Sequence, residues 1–267
     1  VNIVVEPTTT EVIVKAYTTL AVEGVTIEVG DRTARIVEAE VHWRFVDGDW
    51  RLGFTQITGP YRKKDGHDSK QFLDEGSRDA SQNPWGLVTP PEIVEGALAF
   101  APAWTPEITP SPYPPNPNPH PWSRSNGPRA PKTPAPESAP AGITHVQTVT
   151  QVLVEAETVL RPDDLRAQVK ARTARIKRAD VHWGYSAEAG WVIESVNVWG
   201  PVIRKSDGAE SIMHVDELTM PASAPGARYW VHTPPELIEA ALEHVPDWAP
   251  RINDSPYPRT TTLRSSL

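Results

Sequence analysis

Along most of the chain, apolar and polar residues alternate with period two. "EVIVKAY" from Glu11, "VTIEV" from Val25 and "RIVEAEVHWRF" from Arg35 are rich in β-branched and aromatic residues and predict strands. In the clearest of them Val37, Ala39, Val41, Trp43 and Phe45 share one face, with Glu38, Glu40, His42 and Arg44 on the other. That pattern predicts a strand with one packed and one wet face. "VDGDW" supplies an Asp47-Gly48 hairpin turn, "GP" at Gly59 ends the next strand, and Asp65-Gly66 supplies another turn.

The period then becomes helical. In "TPPEIVEGALAFAPAWTP", Thr89 is placed to N-cap, Pro90 to occupy the first helical position and Glu92 to complete a capping box. Ile93, Val94, Ala97 and Leu98 form an apolar stripe, and Pro102 stops the helix ahead of Trp104.

Each of these features occurs twice. "EVIVKAYTTL" aligns with "QVLVEAETVL" from Gln151, and "DRTARIVEAEVHWRF" with "ARTARIKRADVHWGY" from Ala171, at one constant offset. Ala179, Val181, Trp183 and Tyr185 oppose Arg178, Asp180 and His182. "TPPELIEAALEHVPDWAP" from Thr233 repeats the helix, and "SPYP" closes both copies, at Ser111 and Ser255. A match of this length indicates a duplicated domain, not a short solenoid repeat. "RPDDLRAQVKARTARI" alone also fits a helix, but its partner carries Gly24 and Gly30, which favours strands in both.

The expected fold is α+β: two similar tandem domains, each a small antiparallel β-meander covered by one C-terminal helix. Residues 1–113 and 143–258 are the repeats, 114–142 a proline-rich linker, and 259–267 a disordered tail. The linker composition suits a semi-extended tether that lets the domains move independently.

Composition narrows the chemistry. The 267 residues include no cysteine, which removes disulfides and thiolate sites, and the 29 prolines and 10 tryptophans are both high. A net charge of -8 without a basic block disfavours general nucleic-acid binding. No apolar run approaches a membrane span and the start shows no signal-peptide pattern, so a cytoplasmic protein is expected. Val1 points to an alternative start codon or a trimmed fragment.

Glu40 with His42, and Asp180 with His182, set a carboxylate and an imidazole on one strand face, about 6 to 7 Å apart along the strand. Two ligands fall short of the three or four that zinc takes, and no cofactor is implied. Arg44 extends the first cluster; Arg62 and Lys63, matched by Arg204 and Lys205, put cations beside a turn. Trp199 and Trp230 have no tryptophan at their matched positions, Thr58 and Gly86, which suits copy-specific contacts. No phosphate loop, G-x-S-x-G elbow or H-E-x-x-H pair is present.

The order "VHW", turn, "W", "GP", basic "DG", proline-capped helix and "W-x-P" resembles small uncharacterised proteins of high-GC actinobacteria and their phages. The resemblance covers each repeat but not the linker, and it implies a phage or accessory-genome origin and no particular activity. The leading expectation is a non-enzymatic tandem binding or scaffolding protein, located in host cytoplasm or virion, whose two tethered modules engage a protein partner or repeated assembly surface. A metal-assisted hydrolase using the Glu40/His42 or Asp180/His182 pair stays open, as does carbohydrate or nucleic-acid binding through tryptophan.

Overall fold

The computed structural model describes residues 2–29, 32–76, 89–117, 128–130, 139–169, 172–203, 210–219 and 233–260. Among them the first repeat forms β1 (Ile3–Val5), β2 (Thr9–Val22), β3 (Thr26–Val29), β4 (Arg32–Arg35), β5 (Glu38–Val46), β6 (Asp49–Arg62), β7 (Asp68–Gly76) and α1 (Pro91–Ala99). The second forms β8 (Ile143–Pro162), β9 (Leu165–Val169), β10 (Arg172–Ile176), β11 (Arg178–Ser186), β12 (Gly190–Ile203), β13 (Glu210–Thr219) and α2 (Pro235–Leu242). The ambiguous stretch after Arg161 is the β9–β10 hairpin, matched by β3–β4, as the glycines of its partner indicated.

The described residues are mostly β, a large antiparallel sheet with two short helices among them, which corrects the expected α+β pair of separate meanders. The strand order is β13-β12-β11-β8-β2-β5-β6-β7, with β1 on β8. Chain compactness does not follow the repeat boundaries. A C-repeat unit combines Leu153–Arg251 with Val1–Val12 and Thr109–Pro119, and an N-repeat unit combines Ile13–Ile108 with His120–Val152 and Ile252–Leu267. Each unit therefore takes pieces of both repeats.

The physical reason lies in the first strand of each copy. β2 and β8 run to 14 and 20 residues, longer than one repeat's core needs, and each divides between the units. Period-two patterning fixes which face is buried but not which strand lies alongside. In the N-repeat unit the buried Trp43 indole N–H donates to Thr18 Oγ1 at 3.2 Å, and Thr18 Oγ1 lies 3.1 Å from Thr148 Oγ1 of β8. In the C-repeat unit Trp183 donates to Thr158 at 3.0 Å, and Thr158 meets Thr8 at 2.9 Å. Each polar chain inside a core is finished by a threonine from the other repeat, as buried hydroxyls require partners.

The closing "SPYP" segments are exchanged as well. In the C-repeat unit Thr10 N–H donates to Pro114 O at 3.0 Å, and Tyr113 OH donates to Asp247 Oδ1 at 2.6 Å. In the N-repeat unit Thr150 N–H donates to Pro258 O at 2.9 Å, and Tyr257 OH accepts the Ala103 N–H at 3.0 Å.

The helices do not cap separate sheets. α1 buries Ile93, Gly96 and Ala97, and a Cβ on Gly96 would stand 2.7 Å from Ile143 Cγ2, so this helix lies against the start of the other repeat's β8. Its N-cap is Pro90, one residue later than expected and without a side-chain bond. Thr89 instead pairs its buried hydroxyl with Thr55 Oγ1 at 2.7 Å. The Asp47-Gly48 turn forms as read, with φ of 52° and 81°; the turn expected at Asp207-Gly208 lies outside the described residues.

Candidate functional site

The carboxylate and imidazole pairs are where alternation placed them, but their surroundings differ between copies. In the first, His42 Nε2 stands 2.9 Å from Glu40 Oε1. Phe54 stacks on the His42 ring at 4.0 Å and Tyr17 meets it edge-on at 4.8 Å. Tyr17 OH donates to Gln151 Oε1 at 2.8 Å, a residue of the second repeat within the same unit. The contact with His42 holds the Glu40 carboxyl below its ordinary value, against the opposing effect of burial. Burial, then the Glu40 charge, raises the Tyr17 hydroxyl.

In the second copy Asp180 is buried, which corrects its placement on a wet face. Trp199 is the cause. Its N–H donates to Asp180 Oδ2 at 2.7 Å, Arg178 Nε donates to Oδ1 at 2.5 Å, and the Arg178 guanidinium sits 5.8 Å over the Trp199 ring. The first copy has Thr58 opposite Glu38 where Trp199 stands opposite Arg178, and Glu40 stays open. Burial acts against the Arg178 charge, but the bond to Asp180 and the charges of Asp180, Glu157 and Glu6 raise its pKa overall. His182 Nε2 lies 2.9 Å from Asn197 Nδ2, and His214 lies 3.4 Å from Asn197 Oδ1.

Arg44 also departs from the alternation and is buried. A bulge places Gly53 beside it: Trp43 pairs with Leu52 and His42 with Phe54. Burial lowers the Arg44 pKa. The second copy inverts the exchange, because Gly184 replaces Arg44 and the bulge residue is Glu194, whose Oε1 lies 2.1 Å from where a Gly184 Cβ would be. A long side chain fills the same place in both copies, from opposite strands and with opposite charge.

Arg62 and Lys63 lie exposed at the turn, where Arg62 Nε donates to Gly66 O at 3.2 Å. Arg204, Lys205 and Trp230 lie outside the described residues. Trp199 is half-buried and held by Asp180. Among the described residues no group of three or more His, Asp or Glu converges on a metal position, and no helix is long and apolar enough to cross a membrane.

One arrangement went unread in the sequence. Among the described residues β7 pairs with β6 only from Thr55 onward and does not reach the outer edge at Trp50–Leu52. Linker residues Pro128–Ala130 occupy it as an added antiparallel bridge, Arg51 opposite Arg129. Leu52 N–H donates to Pro128 O at 3.1 Å, and Ala130 N–H donates to Trp50 O at 2.8 Å. Arg129 Nη2 pairs with Asp49 Oδ2 at 3.0 Å. Ala130, buried, lines a cavity of about 330 Å³ with Phe45, Trp50, Leu98, Pro102 and Trp104. The available signal was the Asp49/Gly190 difference between copies, which places an acid beside only one edge. No family model, curated protein or solved structure matches the chain.

Proposed function

We propose that the protein is a non-enzymatic binding protein that takes up extended, proline-containing protein segments by adding them as strands to open edges of its sheet. One observation carries this reading: Pro128–Ala130 seated on β6 by two main-chain hydrogen bonds and the Asp49–Arg129 ion pair. Main-chain bonds of this kind supply affinity while side-chain seats supply choice of sequence. The carboxylate and imidazole groups support it indirectly. Both Asp180 oxygens accept hydrogen bonds, and Asn197 sits against His182, so these groups are spent on holding strands together.

The test is to vacate the seat and refill it. Arg129→Glu sets two carboxylates against each other at Asp49 and should release the segment. The variant should then bind the added peptide Asn-Gly-Pro-Arg-Ala-Pro with a shift of the Leu52 amide resonance, while the unaltered chain, whose own segment competes, shows little change. A variant whose Leu52 amide ignores the peptide contradicts the reading.

A further inference from the structure

The edge of β6 that the linker covers has a counterpart in the second repeat. Among the described residues β13 pairs with β12 only from Ser195 onward, and none of them pairs with the outer edge at Trp191–Ile193. The registers correspond: Phe45 faces Trp50 and Trp43 faces Leu52, as Tyr185 faces Trp191 and Trp183 faces Ile193. The Trp191 carbonyl and the Ile193 N–H therefore occupy the places of the Trp50 carbonyl and the Leu52 N–H, which receive Ala130 and Pro128. Among the described residues nothing bonds to this second edge.

Burial separates the two edges independently of hydrogen bonding. Trp50 and Leu52 are 5 % and 0 % exposed, whereas Trp191 and Ile193 are only partly buried. Val192, at the place of Arg51, is 43 % exposed. The tryptophan frame is retained, since Trp191 Nε1–H donates to Trp248 O at 2.7 Å as Trp50 Nε1–H donates to Trp104 O at 2.5 Å.

We infer that the Trp191–Ile193 edge is a second strand-addition site, for an extended partner segment of the pattern Pro-apolar-Ala. The inference rests on the reading of the first edge given above. The outer positions follow from that edge. A small residue must face the tryptophan, as Ala130 faces Trp50, and proline is accepted where only its carbonyl is used, as at Pro128. The middle position differs. Gly190 pairs with Ser186 where Asp49 pairs with Val46, so the acid that holds Arg129 has no counterpart at its place, and the residue opposite is Val192. Cross-strand pairing on an exposed face favours a β-branched partner there, which also explains why the chain's own Pro-Arg-Ala segment sits on β6.

Amide exchange followed residue by residue on the intact chain tests the inference, with millimolar Asn-Gly-Pro-Val-Ala-Pro as probe. The Ile193 amide should exchange freely without peptide and slow about tenfold with it, an equilibrium shift of about 1.4 kcal/mol. Asn-Gly-Pro-Arg-Ala-Pro should protect it less, and Val192→Glu should reverse that order. The Leu52 amide reports separately on the first edge. Protection at Leu52 with an Ile193 amide indifferent to both peptides overturns the inference and leaves the first reading standing, whereas an unprotected Leu52 overturns the reading itself.

Discussion

A single difference between the copies predicts stability changes of opposite sign. Thr55 and Val196 occupy equivalent places, paired with Val41 and Val181, and both are fully buried. In the first copy Thr55 Oγ1 lies 2.7 Å from Thr89 Oγ1. In the second, valine offers nothing to Thr233, whose buried hydroxyl has no partner. A buried hydroxyl without a partner costs about 1 to 3 kcal/mol, while replacing it by an isosteric apolar group removes that cost. Thr55→Val should therefore destabilise by about 1 to 3 kcal/mol by stranding Thr89. Thr233→Val should stabilise by about 1 kcal/mol. The double variant Thr55→Val with Thr89→Val should recover most of the loss, since both partners become apolar. Urea unfolding reads these as shifts in midpoint at constant slope. A Thr233→Val protein less stable than the parent, or a neutral Thr55→Val, would refute the reasoning.

Other expectations follow from the same contacts. Thr18→Val removes the acceptor of the fully buried Trp43 N–H and should cost about 1 to 3 kcal/mol, while Thr148 keeps a contact with His145 at 3.0 Å; a denaturation midpoint equal to the parent's would contradict this. Gly142 has φ of 85° and a Cβ there would stand 2.4 Å from Glu23 O, so Gly142→Ala should lower stability by about 2 kcal/mol or more, read as a fall in Tm. Glu40 has a folded pKa below its ordinary 4.5, so its contribution is present above that pH and fades as pH falls through the folded value. Glu40→Gln should lower stability in the neutral range and flatten the acid limb, with the two proteins converging as pH falls below the folded value. Asp49→Ala should release Pro128–Ala130 and speed tryptic cleavage after Arg129; an unchanged cleavage rate argues against the ion pair as a clasp.

Most local elements were legible because local rules decide them, although β6 continues through Gly59 and Pro60, expected to end it, as far as Arg62. Asp47-Gly48 needs positive φ, and the alternation through Ala39, Val41 and Trp43 permits one buried face. Partner choice is not a local property. Nothing in "EVIVKAYTTL" says that Thr18 will meet Thr148 or that Tyr17 will reach Gln151, and two similar first strands serve either repeat equally well. The candidate site was half legible for a related reason. Strand period brought Glu40 to His42 and Asp180 to His182, but burial of Asp180 depends on Trp199 one strand away, and burial of Arg44 depends on a bulge at Gly53. The strand seat on β6 was hidden because proline-rich composition suggests a spacer, whereas three residues with an arginine opposite an acid suffice to dock one.

The central claim is that each unit is completed by the first strand of the other repeat, and the absence of cysteine makes it directly testable without background. Thr18 and Thr148, 130 positions apart and with hydroxyls 3.1 Å from each other, can be replaced together by cysteine. Mild oxidation should give an intrachain disulfide in most molecules, seen as one cross-linked peptide pair after digestion of monomeric protein. Free thiols throughout, or linkage only between chains, would mean that the repeats close separately and that the exchanged architecture is wrong.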